Sequence, residues 1–331
     1  MTWRRRLLIV LLCVVGVMLA VAAKVYWMMY WTEDLHSAAQ NGSVTETRRA
    51  LRYGAVINAR CPFSDYNEPA LHAAVRNGRF AVARILLAHG AKPNYWRFGC
   101  GNSFEEAAMH GEPAMYELLT SYAPSRLSAD DLLFQSVIGN NIAMMRYLLQ
   151  HGAHADVRLR DDGESPLFYA RTPEAAEFLL VHGVRVNVTD RYGMTALGRM
   201  IPSESQSTIA VLLQYGADVH VRDKDGRTPL HYAANTGNDP DLHSNRTPIV
   251  ALLLAHGAAV NARAADGSTP LHEAAKQYMA ENPAIAQLLL AHGADPTLRD
   301  RAGHTPLDVA RRHHHAKVAK VLEDAMATRH R

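Results

Sequence analysis

The chain has 331 residues, of which 48% are hydrophobic and 20% are charged, and its formal net charge is +3. That positive excess lies at the N-terminus: Arg4, Arg5, Arg6 and Lys24 precede the first acidic residue, Glu33, and without them 31 basic residues stand against 32 acidic ones. Nucleic-acid-binding domains normally carry a basic surface, so the composition argues against nucleic acid as a partner.

The first 31 residues predict a membrane anchor. Residues 7–23 carry no charge, and a helix of that length spans about 26 Å at about 1.5 Å per residue, near the lower limit for a bilayer. Lys24 can extend its ammonium group towards the headgroups, so the apolar span can continue beyond it. Aromatic residues of the kind that gather at membrane interfaces flank the segment. They are Trp3 at one end and Tyr26, Trp27, Tyr30 and Trp31 at the other.

A cleaved secretory signal is the alternative, since an arginine-rich start, an apolar stretch and Ala20-Val21-Ala22 match that pattern. Cleavage there would leave a very apolar new terminus. Cys13 follows Leu12 rather than a small residue, which argues against a lipoprotein. In both interpretations the arginines keep the N-terminus in the cytoplasm and place the rest of the chain across the membrane, in the periplasm of a bacterium. No second apolar stretch of spanning length follows, which argues against an ion channel.

Beyond residue 31 a short motif recurs with a period near 33 residues. A Leu-Leu pair is followed within a few residues by His-Gly-Ala, and variants of this tripeptide fill the gaps between its four perfect copies. A period of this length is typical of a stacked array of helical units. We count nine units, which start near residues 33, 64, 99, 127, 161, 191, 224, 265 and 301.

The unit that starts near residue 224 shows how one repeat is built. Asp225-Gly226 predicts a tight turn, Thr228 is placed to cap a helix, and Pro229 suits the first helical position. A second helix ends in a leucine-rich stretch, where Gly257 suits the left-handed residue that closes a helix. Each unit is therefore predicted to consist of a turn, a helix, a short loop, a second helix and an extended finger.

This pattern resembles the ankyrin repeat family. The resemblance is closest at Thr228-Pro229-Leu230-His231, Thr269-Pro270-Leu271-His272 and Thr305-Pro306-Leu307-Asp308, and it covers residues 32–324. It implies an all-α ankyrin repeat solenoid of about nine helix-turn-helix repeats with short extended fingers, on one N-terminal transmembrane helix. Stacked repeats present a concave surface suited to protein recognition, so the resemblance implies a protein partner.

The predicted organisation is an anchor in residues 1–31, repeats in residues 32–324 and a C-terminal tail in residues 325–331. Units three and four depart most from the pattern, because they lack the Thr-Pro-Leu signature. Units seven and eight carry insertions between their helices, within residues 238–247 and 277–283. Insertions in repeat proteins map to loops on one face, which is often the binding face.

Aromatic residues are concentrated in the fingers around units two and three. Aromatic side chains exposed on loops are enriched at binding hot spots, so the cluster predicts a partner-binding surface; the alternative is that the rings fill space left by the irregular units. The residues concerned are Phe63, Tyr66, Tyr95, Trp96 and Phe98.

The same fingers carry Cys61 and Cys100. Since neighbouring ankyrin repeats bring equivalent fingers side by side, a disulfide between these two cysteines is feasible in an oxidising compartment. Two unpaired thiols in loops are the alternative.

Eighteen histidines suggest a metal or catalytic site, but the repeat accounts for many of them. Four occupy the helix-start position where ankyrin repeats commonly carry histidine, and five precede the closing glycine. For all nine we predict a structural role, either bonds to nearby backbone or packing at a helix end. The run His313-His314-His315 falls between the helices of the last unit, and consecutive helical residues do not share one face. The two sets are His36, His72, His231 and His272, and His89, His151, His182, His256 and His292.

The sequence contains no nucleophile elbow, phosphate-binding glycine loop or His-Glu-x-x-His motif. We therefore predict no catalytic residues, no cofactor and no metal site. The predicted function is a non-catalytic scaffold or regulator that binds a protein, on a single-pass inner-membrane anchor with periplasmic repeats. The alternatives are an exported soluble ankyrin protein, including a secreted effector or a periplasmic binding partner, and an enzyme with an unrecognised site.

Overall fold

The protein folds as two compact units, Met1–Ala153 and His154–Arg331. The computed structural model describes residues 3–59, 68–95, 101–158, 163–202, 205–235, 246–276 and 283–329. Within these ranges the chain forms 17 α-helices and one 3₁₀ helix, with an isolated bridge between Thr189 and Thr195 and no strand. The all-α architecture predicted from the repeat is confirmed.

The first unit contains four repeats of paired helices. The first helices of the repeats, α1, α3, α5 and α7, pack against one another in chain order, and the second helices, α2, α4, α6 and α8, do the same. Their bounds are α1 Trp3–Asn41, α2 Val44–Arg52, α3 Ala70–Arg76, α4 Phe80–Ala88, α5 Ser103–His110, α6 Pro113–Tyr122, α7 Ala129–Ile138 and α8 Ile142–Gln150.

The second unit contains five repeats. Its first helices begin with the 3₁₀ helix Pro166–Tyr169 and continue with α10, α12, α14 and α16; its second helices are α9, α11, α13, α15 and α17, and both rows pack in order. Their bounds are α9 Pro173–Val181, α10 Ala196–Met200, α11 Gln206–Gln214, α12 Pro229–Ala234, α13 Thr247–Ala255, α14 Pro270–Ala275, α15 Pro283–Ala291, α16 Pro306–Arg312 and α17 Ala316–Arg329. Helix α17 thus continues through most of the predicted tail.

The local signals of the repeat form the structures that they predict. Thr228 is the N-cap of α12 and Pro229 its first residue. At the end of α13, Gly257 takes a φ of +83°, while the amides of Gly257 and Ala258 donate to the Leu254 and Leu253 carbonyls at 2.9 and 3.0 Å. Glycine takes this left-handed backbone without the strain that a side chain would add. A glycine turn of this kind closes seven of the second helices, whereas α6 ends at Ala123 in an extended conformation.

Helix α1 joins the apolar N-terminal segment to the first repeat without interruption. It runs from Trp3 to Asn41, and no proline or glycine stands between residue 24 and residue 41 to break it. Trp31, which the sequence predicts as an interfacial aromatic residue, is instead buried, because its ring stacks on Tyr53 with centroids 4.6 Å apart. The apolar N-terminal segment and the first helix of the repeats are therefore one helix.

Repeat five is shorter than its neighbours. Thr172 caps its second helix seven residues after Ser165 caps its first, whereas ten residues separate Thr305 from His315 at the same places in the last repeat. The missing residues leave room for only one 3₁₀ turn where a full first helix was predicted. The prediction that every repeat has the same helix-turn-helix form is therefore wrong at repeat five, whose first helix is a 3₁₀ turn.

Candidate functional site

The aromatic fingers predicted as a binding surface are described only at Tyr95. This residue is half-buried, and its amide donates to the Lys92 carbonyl at 3.2 Å, which closes a turn. The other predicted residues lie outside the described ranges, so the surface and the disulfide remain predictions. These residues are Phe63, Tyr66, Trp96 and Phe98, together with Cys61 and Cys100.

Asparagine side chains join adjacent fingers, which the sequence analysis missed. Asn58 Nδ2 donates to the Gly90 carbonyl at 3.2 Å, and its Oδ1 accepts from the Lys92 amide at 3.0 Å. One carboxamide thus satisfies a donor and an acceptor of the next repeat's turn. The bonds hold neighbouring turns at the same level.

The second unit repeats this contact, so it is a periodic feature of the fingers. The signal was available in the sequence, because each of these asparagines stands three residues after the alanine or valine of the closing turn. The pairs are Asn187 with Gly216 O and Asp218 N, at 3.0 and 2.8 Å, and Asn261 with Gly293 O and Asp295 N, at 3.0 and 2.8 Å.

Replacing Asn94 by alanine is expected to reduce stability by about 1–2 kcal/mol, because two hydrogen bonds of ordinary strength are lost. Asn94 Nδ2 donates to the Pro124 carbonyl at 2.8 Å, and its Oδ1 accepts from the Arg126 amide at 3.3 Å. Urea unfolding of the full chain in detergent micelles measures the change. Asn41→Ala, at an exposed helix end, is the control, and an equal loss in both variants would contradict a role for the inter-finger bonds.

Arginine residues add a second ladder of hydrogen bonds along the exposed fingers. Arg222 Nη1 donates to the Arg263 carbonyl at 2.6 Å, and Arg263 in turn donates to the Arg299 carbonyl. Between the same fingers, the Ala265 amide donates to the Asp225 carbonyl at 2.7 Å. The finger arginines are therefore partly engaged in holding the array together.

The histidines of the closing turns bond to backbone, as predicted. In five repeats the Nδ1 atom of this histidine lies 2.7–2.9 Å from the carbonyl oxygen four residues earlier, so the ring donates to the end of its own helix. The same carbonyl also accepts from the backbone amide of that histidine at 3.1–3.2 Å, so the ring adds a second hydrogen bond at the end of the helix. The pairs are His89–Ile85, His151–Tyr147, His182–Phe178, His256–Leu252 and His292–Leu288.

Two of the four helix-start histidines, His231 and His272, link one repeat to the next. The Thr228 amide donates to His231 Nδ1 at 3.1 Å, which requires that nitrogen to be unprotonated, and Nε2 then donates to the Ser268 carbonyl at 3.2 Å. His272 makes the same pair of bonds with Thr269 and the His304 carbonyl. Burial lowers the pKa of both imidazoles below the ordinary value. These rings are therefore neutral connectors.

A buried ionic cluster in the first unit is a further feature that the sequence analysis missed. Arg76 donates to Glu68 of its own repeat at 2.5 and 3.0 Å and to Glu106 of the next repeat at 2.8 and 3.0 Å. Glu68 is 0% exposed and Glu106 is 5% exposed, and His36 Nε2 lies 3.7 Å from Glu68. Burial lowers the pKa of the neighbouring His72. One guanidinium thus compensates two buried carboxylates, one in repeat two and one in repeat three.

The shortened repeat five borders a cavity of about 610 Å³. Arg199, on its wall, donates to Glu164 at 2.8 Å, and Tyr169 donates to the same carboxylate. The cavity wall is therefore partly polar, and the Arg199 guanidinium on it is already paired with Glu164. The lining residues are Phe168, Tyr169, Arg171, Arg199, Met200, Pro202 and Ser205.

The triple histidine lies between the last two helices, as the repeat alignment predicts. His313 is the C-cap of α16, His314 takes a left-handed φ of 60°, and His315 Nδ1 lies 3.2 Å from the Ala275 carbonyl. The His313 and His315 rings lie near each other, with centroids 5.9 Å apart and an angle of 35° between their planes. In the described part of the chain, no three His, Cys, Asp or Glu side chains are grouped so that they would hold a metal ion.

A protein-family model matches nearly all of the chain beyond residue 31, and individual known proteins match parts of it. A family model of three ankyrin repeats matches residues 32–95, 104–190, 171–243, 199–300 and 242–328. An ankyrin repeat protein of Fowlpox virus is 28% identical over 62% of this chain and 48% of its own length. Ankyrin repeat protein nuc-2 of Neurospora crassa is 32% identical over 55% of this chain and 18% of its own length.

A human relative shows the same pattern: ankyrin repeat and SOCS box protein 6 is 30% identical over 47% of this chain and 41% of its own length. The chain thus spans less than half the length of each of these three relatives. What they share with it is the repeat, whose stacked helices form a scaffold for protein–protein interaction. With its paired helices, finger contacts and matching repeats, the chain belongs to the ankyrin repeat family.

Proposed function

We propose that this chain is a non-catalytic scaffold or regulator that binds a protein partner and is anchored in a membrane by an uncleaved α1. The observation that carries the anchor is the candidate span Cys13–Asn41, which has a mean hydropathy of 1.7 and whose apolar part is 0% buried by the rest of the protein. The non-catalytic role is supported by the family, in which ankyrin repeats generally serve binding.

Exposed aromatic side chains favour the anchor over a cleaved signal. Cleavage after Ala22 would leave Tyr26, Trp27 and Tyr30 at the start of a soluble protein, where they are 75%, 52% and 54% exposed. A bilayer interface covers such rings at little cost, because they combine an apolar body with a polar edge. Retention of α1 in a membrane therefore accounts for these aromatic rings, whose exposure to water is unfavourable.

The arginines at residues 4–6 orient the proposed anchor. Clustered positive charge is retained on the cytoplasmic side, so the repeats are displayed on the non-cytoplasmic side. In a bacterium this is the periplasmic face of the inner membrane. The proposed partner is accordingly a periplasmic protein or the periplasmic part of a membrane protein.

Fractionation of cells that produce the full chain tests the anchor. We expect full-length protein in membranes washed with alkaline carbonate, because a spanning helix resists that treatment. A shortened form in the soluble fraction would instead support an exported ankyrin protein, either periplasmic or secreted as an effector.

Crosslinked pull-down from intact cells tests partner binding at the aromatic fingers. Trp96→Ala is expected to reduce partner capture by about tenfold, as loss of a hot-spot aromatic costs about 1–2 kcal/mol or more. Tyr215→Ala is the control, since Tyr215 is an aromatic residue that is 40% exposed at the closing turn of repeat six. Unchanged capture together with a markedly lower melting temperature would mean that Trp96 fills space in the fold.

A further inference from the structure

The first repeat begins inside the helix that carries the apolar segment, so the distance between the repeat and the proposed membrane is fixed by helix geometry. Trp27 lies four residues beyond Ala23, the last residue of the charge-free run, which is about 6 Å along an α-helix. The headgroup layer on each side of a bilayer is about 5–8 Å thick. An anchor in residues 7–23 therefore places Trp27 within that layer.

The closing turn of the first repeat is held at the same level as Trp27. Trp27 Nε1 donates to the Tyr53 carbonyl at 3.2 Å, and its ring meets the Tyr53 ring edge-on at 6.2 Å. One turn further along α1, the Val56 amide donates to Thr32 Oγ1 at 3.0 Å. These contacts fix the end of α2 and the start of the first finger beside the juxtamembrane part of α1.

We call this region the junction surface; it consists of Trp27, Tyr30, Tyr53 and Val56 with Arg49 and Arg52. Its four apolar or aromatic residues are exposed, Trp27 at 52% and Tyr53 at 47%. Aromatic side chains exposed beside a membrane span are typical of an interfacial position.

The charges at the junction surface complement phospholipid phosphates. Arg49 and Arg52 lie in the last turn of α2, and both are exposed. The Arg49 guanidinium lies over the Trp31 ring at 5.6 Å and 3.5 Å from the partly buried Asp34, while the Arg49 side chain itself is 55% exposed. A guanidinium of this kind remains able to form bidentate bonds to a phosphate.

One neighbouring acidic group, Asp34, lies beside Arg49, 3.5 Å from its guanidinium. Arg52, which precedes the Tyr53 that contacts Trp27, is therefore the cation of this surface nearer to the span. Glu33 and Asp34 stand six and seven residues beyond Trp27 on α1, about 9–11 Å further out along the helix. Glu46 is in the first turn of α2, at the opposite end from Arg52. The side of the first repeat that is nearest to the span is therefore basic and aromatic.

We propose that the first repeat docks on the lipid bilayer through the junction surface, with Trp27 and Tyr53 in the headgroup layer and Arg49 and Arg52 bound to phospholipid phosphates. This inference rests on the membrane anchor proposed above. Docking orients the repeats against the membrane. It also limits how far they swing about α1, because the helix offers no hinge between the span and the repeat.

Photocrosslinking to lipid headgroups tests this docking. The full chain is reconstituted into phosphatidylcholine vesicles with a minor share of phosphatidylglycerol that carries a photoactivatable group on its headgroup, and labelled residues are mapped by mass spectrometry. We expect labels in residues 49–56 as well as in residues 24–31. Arg49→Gln with Arg52→Gln should lower the labelling of residues 49–56 at least fivefold, the change expected for loss of one arginine near an anionic surface.

Arg84→Gln with Arg146→Gln is the matched control, because these exposed arginines lie on the second helices of other repeats, and its labelling should equal that of the wild type. Labels confined to residues 24–31 in the wild type, or equal labelling of residues 49–56 in the Arg49/Arg52 variant, would overturn the docking while leaving the anchor intact. Failure of the full-length chain to remain with the vesicles would overturn the anchor itself.

Discussion

Replacing Arg76 by methionine is expected to destabilise the first compact unit by about 3 kcal/mol, at the lower end of what the loss of one partner from a buried ion pair costs. The side chain of Arg76 is 18% exposed, whereas those of Glu68 and Glu106 are 1% and 6% exposed. Methionine keeps much of the aliphatic volume, so the loss comes mainly from two carboxylates left without their cation. Urea unfolding of the full chain in detergent micelles, followed by circular dichroism, measures it.

The control for this prediction is Arg84→Met, at an exposed arginine on α4, which should change stability by no more than about 0.5 kcal/mol. A second variant separates charge from packing. Adding Glu106→Gln to Arg76→Met removes one uncompensated carboxylate, so the double variant should be more stable than the sum of the two single changes predicts. Strict additivity, or an equal effect of the Arg84 change, would rule out the ionic explanation.

The helical pairs were predictable because the signals that define a repeat are local. A threonine cap, a proline at the first helical position and a glycine at the closing turn act within a few residues, so Thr228, Pro229 and Gly257 form the predicted structures. The backbone bonds of the turn histidines were predictable for the same reason. The short first helix of repeat five was also visible as a close spacing between Ser165 and Thr172.

The ionic cluster could not be predicted because it depends on contacts between repeats. Glu68 and Glu106 are 38 positions apart, and only the stacking of α3 against α5 brings both to Arg76. The burial of Trp31 likewise depends on Tyr53, which returns to α1 at the end of α2. The recurring motif identifies each repeat. It does not show which side chains form the contacts between two particular repeats. The aromatic fingers remain a prediction, since only Tyr95 among their five aromatic residues lies within the described ranges.

Acidification is expected to destabilise the second unit through His231 and His272. Both imidazoles are almost fully buried, at 1% and 0% exposure, and burial lowers their pKa in the folded state. In the unfolded chain each would bind a proton near its ordinary pKa of about 6.5. Because the unfolded state then holds more protons, the stability that the neutral rings contribute is present above about pH 6.5 and declines as the pH falls below it.

The size of this effect follows from proton linkage. Between pH 7.5 and pH 5.5, each histidine that stays neutral in the folded state reduces the free energy of unfolding by up to about 1.4 kcal/mol, or about 3 kcal/mol for the pair. The structural reason is that Nδ1 accepts from the amide of Thr228 or Thr269, and a protonated ring cannot accept. Carboxylates titrate near pH 4, so this interval reports mainly on histidine.

Urea unfolding at pH 7.5 and pH 5.5 measures the loss in the wild type and in His231→Gln with His272→Gln. The double variant should be less stable than the wild type at pH 7.5, because it loses the bonds to the Ser268 and His304 carbonyls, yet it should lose far less on acidification. His256→Gln, at an exposed closing turn, is the matched control and should retain the acid sensitivity of the wild type. If the double variant loses as much stability as the wild type between the two pH values, then the neutral inter-repeat histidines are not the source of the acid sensitivity.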